Sequence, residues 1–140
     1  MSDLNAWNKR VIEQFRANDG RVGGDFEGAP LLLLHTHGAK TNEERVNPVM
    51  YLEYEGRLFV FASKAGADTN PDWYYNLVAN PEVTVELGGS AFAATATVIR
   101  GEERGRIYGV QAQRLSQFGD YQTRTTRVIP VVELRHSPSD

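Results

Sequence analysis

The sequence has no cysteine, only three lysines and no long hydrophobic run. Without cysteine the chain can form no disulfide, no thiolate metal site and no cysteine nucleophile. Its longest apolar run, residues 29–34, is far shorter than the roughly 20 residues that span a bilayer. The N-terminus also lacks the basic and apolar regions of a secretory signal. These absences predict a soluble, unprocessed protein located in the cytoplasm.

Size and charge narrow the class of protein further. A length of 140 residues, with 41% hydrophobic and 24% charged residues, is typical of one globular domain, so we predict a single domain over residues 1–140. The net charge of −3 disfavours a general nucleic-acid binder, which needs a basic surplus. Twelve of the fifteen basic residues are arginine. Two of the three lysines, Lys40 and Lys64, lie among small loop residues, where they are either solvated charges or ligand contacts.

The hydrophobic pattern predicts one N-terminal helix followed mainly by strands. Apolar residues recur at helical spacing over residues 3–18, and a flexible connection is predicted over 18–24. Six apolar segments bounded by turn residues are predicted strands: 30–36, 46–53, 58–62, 83–87, 91–100 and 128–134.

Glycine-containing turns join two pairs of these strands as hairpins. A short helix is predicted to start at Asn70-Pro71-Asp72, with Asn70 as its cap and Pro71 at its first position, and to run through residues 73–78. Another helix is predicted over 102–116. Strands joined by hairpins, with flanking helices, predict an α+β fold built on a small antiparallel barrel. A doubly wound parallel sheet would need regular strand–helix alternation, which is missing.

Residues 62–73 form the segment with the most features suited to binding a ligand. Small residues after a strand let a ligand approach the backbone, Lys64 offers a cation, and the N-terminus of the following helix favours an anion. Trp73 and Tyr74 could stack on a flat ring or could equally pack in the core. The segment is therefore a candidate anion-binding site.

Three other motifs are too weak to predict a site. His35 and His37 face the same side of a strand but lack a third ligand, so no metal site is predicted. The run 38–41 lacks the adjacent Gly-Lys and the upstream glycine of a phosphate-binding P-loop. Ser63 lacks the surroundings of a nucleophile elbow.

Seven separated blocks recur in the order of a known family. They are Thr36-His37-Gly38-Ala39-Lys40-Thr41, Arg45-Val46-Asn47-Pro48, residues 61–67, residues 70–77, Ala79-Asn80-Pro81, Asp120-Tyr121-Gln122 and residues 126–131. Together they resemble the deazaflavin-dependent nitroreductase family over residues 30–134. The resemblance implies a split β-barrel related to the flavin-reductase-like, FMN-binding barrels. The predicted domain therefore consists of an N-terminal helix within residues 1–20 and a barrel over 30–134.

The resemblance also implies binding of coenzyme F420, a 5-deazaflavin with a phosphate and an acidic oligoglutamate tail. Lys40 would contact the phosphate and tail, Trp73 would form a wall of the site, and Asn76 would fix a loop by a hydrogen bond. The entry would be lined by Arg45, Asn47, Pro48 and Met50. The ring and its chain would lie on Ala62, Ser63, Lys64, Gly66 and Ala67.

The implied reaction is hydride transfer from reduced F420 to a quinone, a nitro compound or an activated alkene. Ser63 and Tyr121 are the candidate catalytic donors to the negative charge that develops on the acceptor, although Tyr121 could instead only anchor the C-terminal segment. Two alternatives remain open: a split-barrel enzyme that uses FMN or haem, and a non-catalytic F420 carrier. The expected partner is a small hydrophobic acceptor, with no nucleic acid, no integral membrane segment, and a monomer or weak homodimer that contacts the inner face of the membrane at most weakly.

Four features depart from the family pattern. Asn42 stands where glycine is common, and Glu43 and Glu44 add negative charge near the expected tail site, which predicts a lower affinity for the tail. Asn70 replaces a common histidine. Of the tyrosines that recur in nitroimidazole-activating members, only Tyr121 is kept, since the aligned positions 115 and 118 are leucine and phenylalanine. Quinones or hydrophobic polycyclic acceptors are therefore favoured over nitroimidazoles.

Overall fold

Six strands and four helices make up the parts of the chain that the computed structural model describes, residues 2–18 and 30–137. In chain order they are α1 (Ser2–Ala17), β1 (Leu31–His37), β2 (Glu44–Tyr54), β3 (Arg57–Phe61), α2 (Asp72–Ala79), β4 (Glu82–Leu87), β5 (Ser90–Ile99), α3 (Gly101–Arg114), α4 (Gln117–Thr123) and β6 (Val131–His136). A 3-10 turn, Lys64–Gly66, lies between β3 and α2. Except for residue 18, the flexible connection predicted over 18–24 lies outside the described residues.

The strands close into an antiparallel barrel in the order β1-β2-β3-β6-β5-β4. On β1, Leu33 pairs with Pro48 of β2 on one side and with Glu86 of β4 on the other. The final strand enters between β3 and β5, where Val132 pairs with Val60 and with Val98. The predicted α+β split-barrel class is confirmed.

The hairpin predicted between the second and third strands is confirmed, and its turn explains it. Tyr54 pairs with Arg57, which leaves Glu55 and Gly56 as a two-residue turn. Both have positive φ, at 54° and 73°. This pair of angles is the one that matches the twist of adjoining antiparallel strands.

Strand β1 is apolar on both faces because both faces are covered. Leu32 and Leu34 belong to the core inside the barrel. Leu31 and Leu33 face outward and pack with Phe15 of α1. The uninterrupted leucine run therefore marks a strand sandwiched between the barrel core and a helix.

Helix α2 covers the barrel core with Trp73 and Leu77. It begins at Asp72 with Pro71 as its cap residue, and no side chain caps it. The predicted capping by Asn70 is therefore wrong. The Asn70 Oδ1 instead accepts a hydrogen bond from Arg127 Nη1 at 2.6 Å, and this charged donor is a stronger partner than a backbone N–H.

The C-terminal half contains one helix more than predicted. The helix predicted over 102–116 ends at Arg114, and α4 follows it after two residues. Tyr108 and Phe118 both pack edge-on against Phe61, and the Tyr108 hydroxyl donates to the Phe118 carbonyl. Burial raises the pKa of Tyr108 to about 12, so the hydroxyl keeps the proton that holds α4 in place.

An ionic cluster ties α1 to the barrel. Arg16 donates two hydrogen bonds to Glu86, at 2.7 and 3.1 Å, and His35 contacts the same carboxyl. The hydrogen bonds from Arg16 lower the pKa of the Glu86 carboxyl below its ordinary value. Within residues 2–18 and 30–137, no group of three or more histidine, cysteine or acidic residues could hold a metal ion. None of the helices described there is long and apolar enough to cross a membrane.

Candidate functional site

An open groove of about 650 Å³ lies between the loop after β1 and the outer side of α2. Its lining residues are Gly38, Ala39, Lys40, Thr41, Arg45, Asn47, Asp72, Tyr75 and Asn76. The groove brings together four of the residues predicted to bind the cofactor, namely Lys40, Arg45, Asn47 and Asn76. Sequence analysis did not single out Asp72 or Tyr75 as site residues, although both belong to the helix block that carries the resemblance.

The loop of residues 38–43, the first site loop, closes most of its own hydrogen bonds. The Gly38 N–H donates to the Glu43 carbonyl and the Asn42 N–H to the Gly38 carbonyl, both at 2.8 Å. Asn42 has a φ of 59°, in the left-handed region that asparagine tolerates better than most residues. Asparagine at position 42 therefore suits the shape of this loop.

Asn76 holds this first site loop against α2. Its Oδ1 accepts a hydrogen bond from the Ala39 N–H at 3.0 Å, and its Nδ2 donates to Thr36 Oγ1 at 3.3 Å. The side chain is buried, so both groups it contacts would lose their partner without it. The loop that carries Lys40 is thus fixed in front of the groove.

The charges of the groove suit an anionic ligand of moderate charge. Lys40 and Arg45 are both exposed cations at its rim, and Asn47 and Asn76 add amide groups. Arg45 also contacts Glu43, with Nη2 3.2 Å from Oε2, and Asp72 lies in the lining. These donors fit a phosphate or carboxylate group, and the two acids limit how much negative charge the groove attracts.

The loop of residues 62–70, the second site loop, leaves β3 through the 3-10 turn. Lys64 has a φ of 46° and Gly66 a φ of 81°. Gly66 also lies against α4, because a Cβ at this position would stand 2.8 Å from the Tyr121 carbonyl oxygen and 3.0 Å from Arg124 Cβ. Only glycine fits both the angle and the space. The Lys64 ammonium donates to Thr69 Oγ1 at 3.2 Å on the exposed side.

Arg127 is the main external anchor of the second site loop, and sequence analysis did not identify it as a functional residue. Its guanidinium donates to the carbonyl oxygens of Ala62, Ser63 and Ala67 and to Asn70 Oδ1. The four distances lie between 2.6 and 3.2 Å. The only sequence signal for it was its place in the block 126–131.

The two candidate catalytic residues border the second site loop. Ser63 is half-buried at its start, and its carbonyl oxygen accepts a hydrogen bond from Arg127. Tyr121 is half-buried on α4, with its backbone against Gly66 and its ring edge-on to Phe118 at 5.2 Å. The backbone of Tyr121 thus lies against the loop that contains Ser63.

Several predicted cofactor residues do not line the groove. Trp73 is only 6% exposed and Ala62 is fully buried, and both belong to the core inside the barrel. Pro48 and Met50 lie on β2, where Met50 packs near α1 and α4. The aromatic side chain that the groove exposes is Tyr75, which is 50% exposed.

Comparison with known proteins identifies the family. Residues 7–136 match the family described as F420H2-dependent quinone reductase. The chain is 38% identical over 124 residues to the F420H2-dependent quinone reductase Rv1261c of Mycobacterium tuberculosis (strain ATCC 25618 / H37Rv), covering 86% of this chain and 83% of the relative.

Two solved structures share both fold and sequence with the chain. A structure of an F420-H2 dependent reductase (FDR-A) superposes with a TM-score of 0.69 and 36% identity, covering 76% of this chain and 94% of that one. A structure described as a domain-swapped dimer superposes with a TM-score of 0.71 and 32% identity, covering 96% and 98%. The narrower likeness to nitroreductases stays a prediction. The chain belongs to the F420H2-dependent quinone reductase family.

Proposed function

We propose that this protein is an oxidoreductase that uses reduced F420 to reduce a quinone-like acceptor. The observation that carries the proposal is the groove in a chain of this family. Two cations line it, Lys40 on the fixed first site loop and Arg45 on β2. When bound, the cofactor supplies a hydride from the C5 position of its deazaflavin ring. The protein supplies binding, orientation and proton donors.

The groove is suited to the phosphate and acidic tail of the cofactor. Lys40 and Arg45 form charge-assisted hydrogen bonds with such groups, and Asn47 lies beside them in the lining. Asn76 keeps Lys40 in place by holding the Ala39 N–H. Because Glu43 already contacts Arg45, the tail meets a partly neutralised cation.

The second site loop is suited to the ring and its chain. Ser63 and Ala67 are small, half-buried residues that allow close approach, and Lys64 adds a cation on the exposed side. Ser63 Oγ and the Tyr121 hydroxyl would donate hydrogen bonds to the acceptor oxygen as it gains negative charge. Donors fixed in advance stabilise such charge without reorganising.

An apolar acceptor suits the surroundings of Tyr121 better than a nitroimidazole. Phe118 is buried beside the Tyr121 ring and Leu115 is half-buried in the same cluster. We therefore expect a higher kcat/KM for menadione than for a nitroimidazole, both measured with reduced F420. Equal values for the two would contradict this preference.

The proposal is tested by titrating the purified protein with F420 and with FMN at two salt concentrations. F420 should bind preferentially and more weakly at high salt. Lys40→Gln and Arg45→Gln should each raise the F420 dissociation constant by roughly tenfold, whereas Lys9→Gln, an exposed lysine of α1, should not change it. Tight FMN binding without F420 binding would favour the FMN-dependent alternative.

Catalysis is tested separately by following oxidation of reduced F420 with menadione. Tyr121→Phe and Ser63→Ala should each lower kcat by roughly tenfold or more while leaving the F420 dissociation constant unchanged. If the wild-type protein binds reduced F420 but oxidises it with no quinone, nitro compound or activated alkene, the carrier alternative is correct.

We also infer a single functional domain over residues 1–140 that acts in the cytoplasm as a monomer or weak homodimer. The outer faces of β1 and β2 are covered by α1, which supports the weak or absent assembly because that surface is not free for a partner. Light scattering after size-exclusion chromatography measures the assembly. A tight dimer at micromolar concentration would contradict it.

A further inference from the structure

The second site loop contains a strained turn that has few hydrogen bonds of its own. Two of three consecutive residues, Lys64 and Gly66, lie in the left-handed region. For lysine this region is unfavourable, and such strain persists only where the surroundings fix it. Within the loop, the backbone supplies just two short-range hydrogen bonds across the turn, Gly66 N–H to Ser63 and Ala67 N–H to Lys64.

Arg127 brackets the strained turn from outside. It binds the carbonyl oxygens of Ala62 and Ser63 just before the turn, at 3.2 and 2.8 Å, and that of Ala67 just after it, at 2.8 Å. Its fourth bond, to Asn70, fixes the end of the loop next to α2. One rigid guanidinium therefore sets the spacing between both sides of the turn.

A second side chain strengthens the same attachment. Thr125 Oγ1 donates to Asp68 Oδ1 at 3.0 Å, and the Arg127 N–H donates to the same hydroxyl at 3.3 Å. From the other side, Gly66 packs against the backbone of Tyr121. The loop is thus held between α4 and the segment that precedes β6.

From this geometry we propose that Arg127 is a positioning residue that presets the second site loop to receive the deazaflavin ring. The inference rests on the proposed function of the protein. Three of the four acceptors are backbone carbonyls, so the contact sets the path of the chain. Lysine cannot replace it, because one ammonium cannot span acceptors on both sides of the turn.

The test compares two ligands and three variants. The ligands are F420 and the deazaflavin fragment without phosphate and glutamates. Arg127→Lys should raise the dissociation constants of both ligands by the same factor, about tenfold or more, whereas Arg45→Gln should weaken F420 alone. The control is Arg114→Lys, because Arg114 also donates to a backbone carbonyl, that of Glu53, and contacts neither loop. It should leave both constants within about twofold.

Chemical rescue distinguishes positioning from a general loss of stability. Guanidinium ion at low millimolar concentration should restore part of the fragment affinity to Arg127→Ala, and should leave the reduced F420 affinity of Arg45→Gln unchanged. A folded Arg127→Lys protein that binds both ligands within about twofold of wild type would overturn the inference and leave the proposed function intact. Failure of the wild-type protein to bind F420 would overturn both.

A measurement on the wild-type protein keeps the test decisive if the variants do not fold. Hydrogen exchange at the amides of Gly66 and Ala67 should change by less than about threefold when the fragment binds, because a preset loop is already ordered. A gain in protection of about a hundredfold would mean that the ligand orders the loop, and would overturn the inference.

Discussion

The two loops that border the proposed cofactor site are held in place by different means. The first site loop closes two of its own backbone hydrogen bonds and needs one neutral external side chain, Asn76. The second contains a strained turn and depends on four hydrogen bonds from the charged side chain of Arg127. Each loop closes two backbone hydrogen bonds of its own, so the strained turn accounts for the larger number of external donors on the second loop.

The two loops also differ in the groups that they present to the proposed cofactor. The first site loop presents a side-chain cation, so its backbone can fold back on itself. Under the proposed function the second leaves small residues accessible to the deazaflavin ring, so its shape comes from contacts on the far side of the chain. Variants that remove one anchor at a time test whether the two loops differ as described.

The largest effect is expected from Gly66→Ala in the second site loop. The substitution combines a positive φ with a contact of 2.8 Å to the Tyr121 carbonyl oxygen, and should lower the free energy of unfolding by about 2–3 kcal/mol. Gly56→Ala is the matched control, since it has a similar φ and open space around its Cβ. It should cost about 1 kcal/mol in a denaturant titration. Equal losses at the two positions would show that α4 does not press on the loop.

The next largest effect is expected from removing the anchor of the first site loop. Asn76→Ala leaves the Ala39 N–H and the Thr36 hydroxyl without their partner, which should cost about 2 kcal/mol of stability. Asn80→Ala, in the cap position of the same helix, removes only a 3.4 Å hydrogen bond to the His37 carbonyl. It should cost less than about 0.5 kcal/mol. A similar loss for both would mean that Asn76 does not anchor the loop.

A smaller effect separates strain from charge at Lys64. Lys64→Asn should raise the free energy of unfolding by about 0.5 kcal/mol, because asparagine tolerates a φ of 46° better than lysine does. Lys64→Gln removes the same charge without relieving the strain, so it should give no gain. Both variants should weaken F420 binding to the same small extent in a fluorescence titration. A gain in stability for Lys64→Gln would show that the charge, not the backbone angle, is unfavourable.

The smallest effect is expected at the rim of the groove. Glu43→Gln frees Arg45 from its ion pair and should raise F420 affinity by about twofold to threefold at low salt, with the gain lost at high salt. Glu55→Gln breaks a comparable exposed pair with Arg106 outside the groove and should not change binding. An unchanged affinity for Glu43→Gln would mean that the tail does not reach Arg45.

Local patterns in the sequence predict most of the barrel. The leucine run of β1 and the Glu55-Gly56 turn are patterns of residues adjacent in sequence, so the strand and the hairpin can be predicted without knowledge of distant contacts. The helix α4 could not, because Gln117–Thr123 is polar, contains Gly119 and buries only Phe118. The predicted hairpin of β4 and β5 is confirmed, while β6 begins at Val131, three residues later than expected, directly after Pro130.

Long-range contacts explain what the sequence does not predict about the site. Asn-Pro-Asp at residues 70–72 is typical of a helix start, yet the Asn70 side chain binds Arg127, 57 residues away. The aromatic block 73–75 does not reveal which ring faces solvent, and the structure buries Trp73 and exposes Tyr75. Partners that far apart in sequence are fixed by the closure of the barrel.

The position of Arg127 in the chain has a consequence for the order of folding. Its partners in the second site loop lie 57 to 65 residues earlier, and it comes just before β6, the strand that joins β3 to β5. Contacts over such separations form late, after local hairpins. We expect refolding protein to recover its circular dichroism before its ability to bind cofactor. Cofactor fluorescence would then report the last event of folding, so that a stalled or truncated chain is distinguished from a finished one.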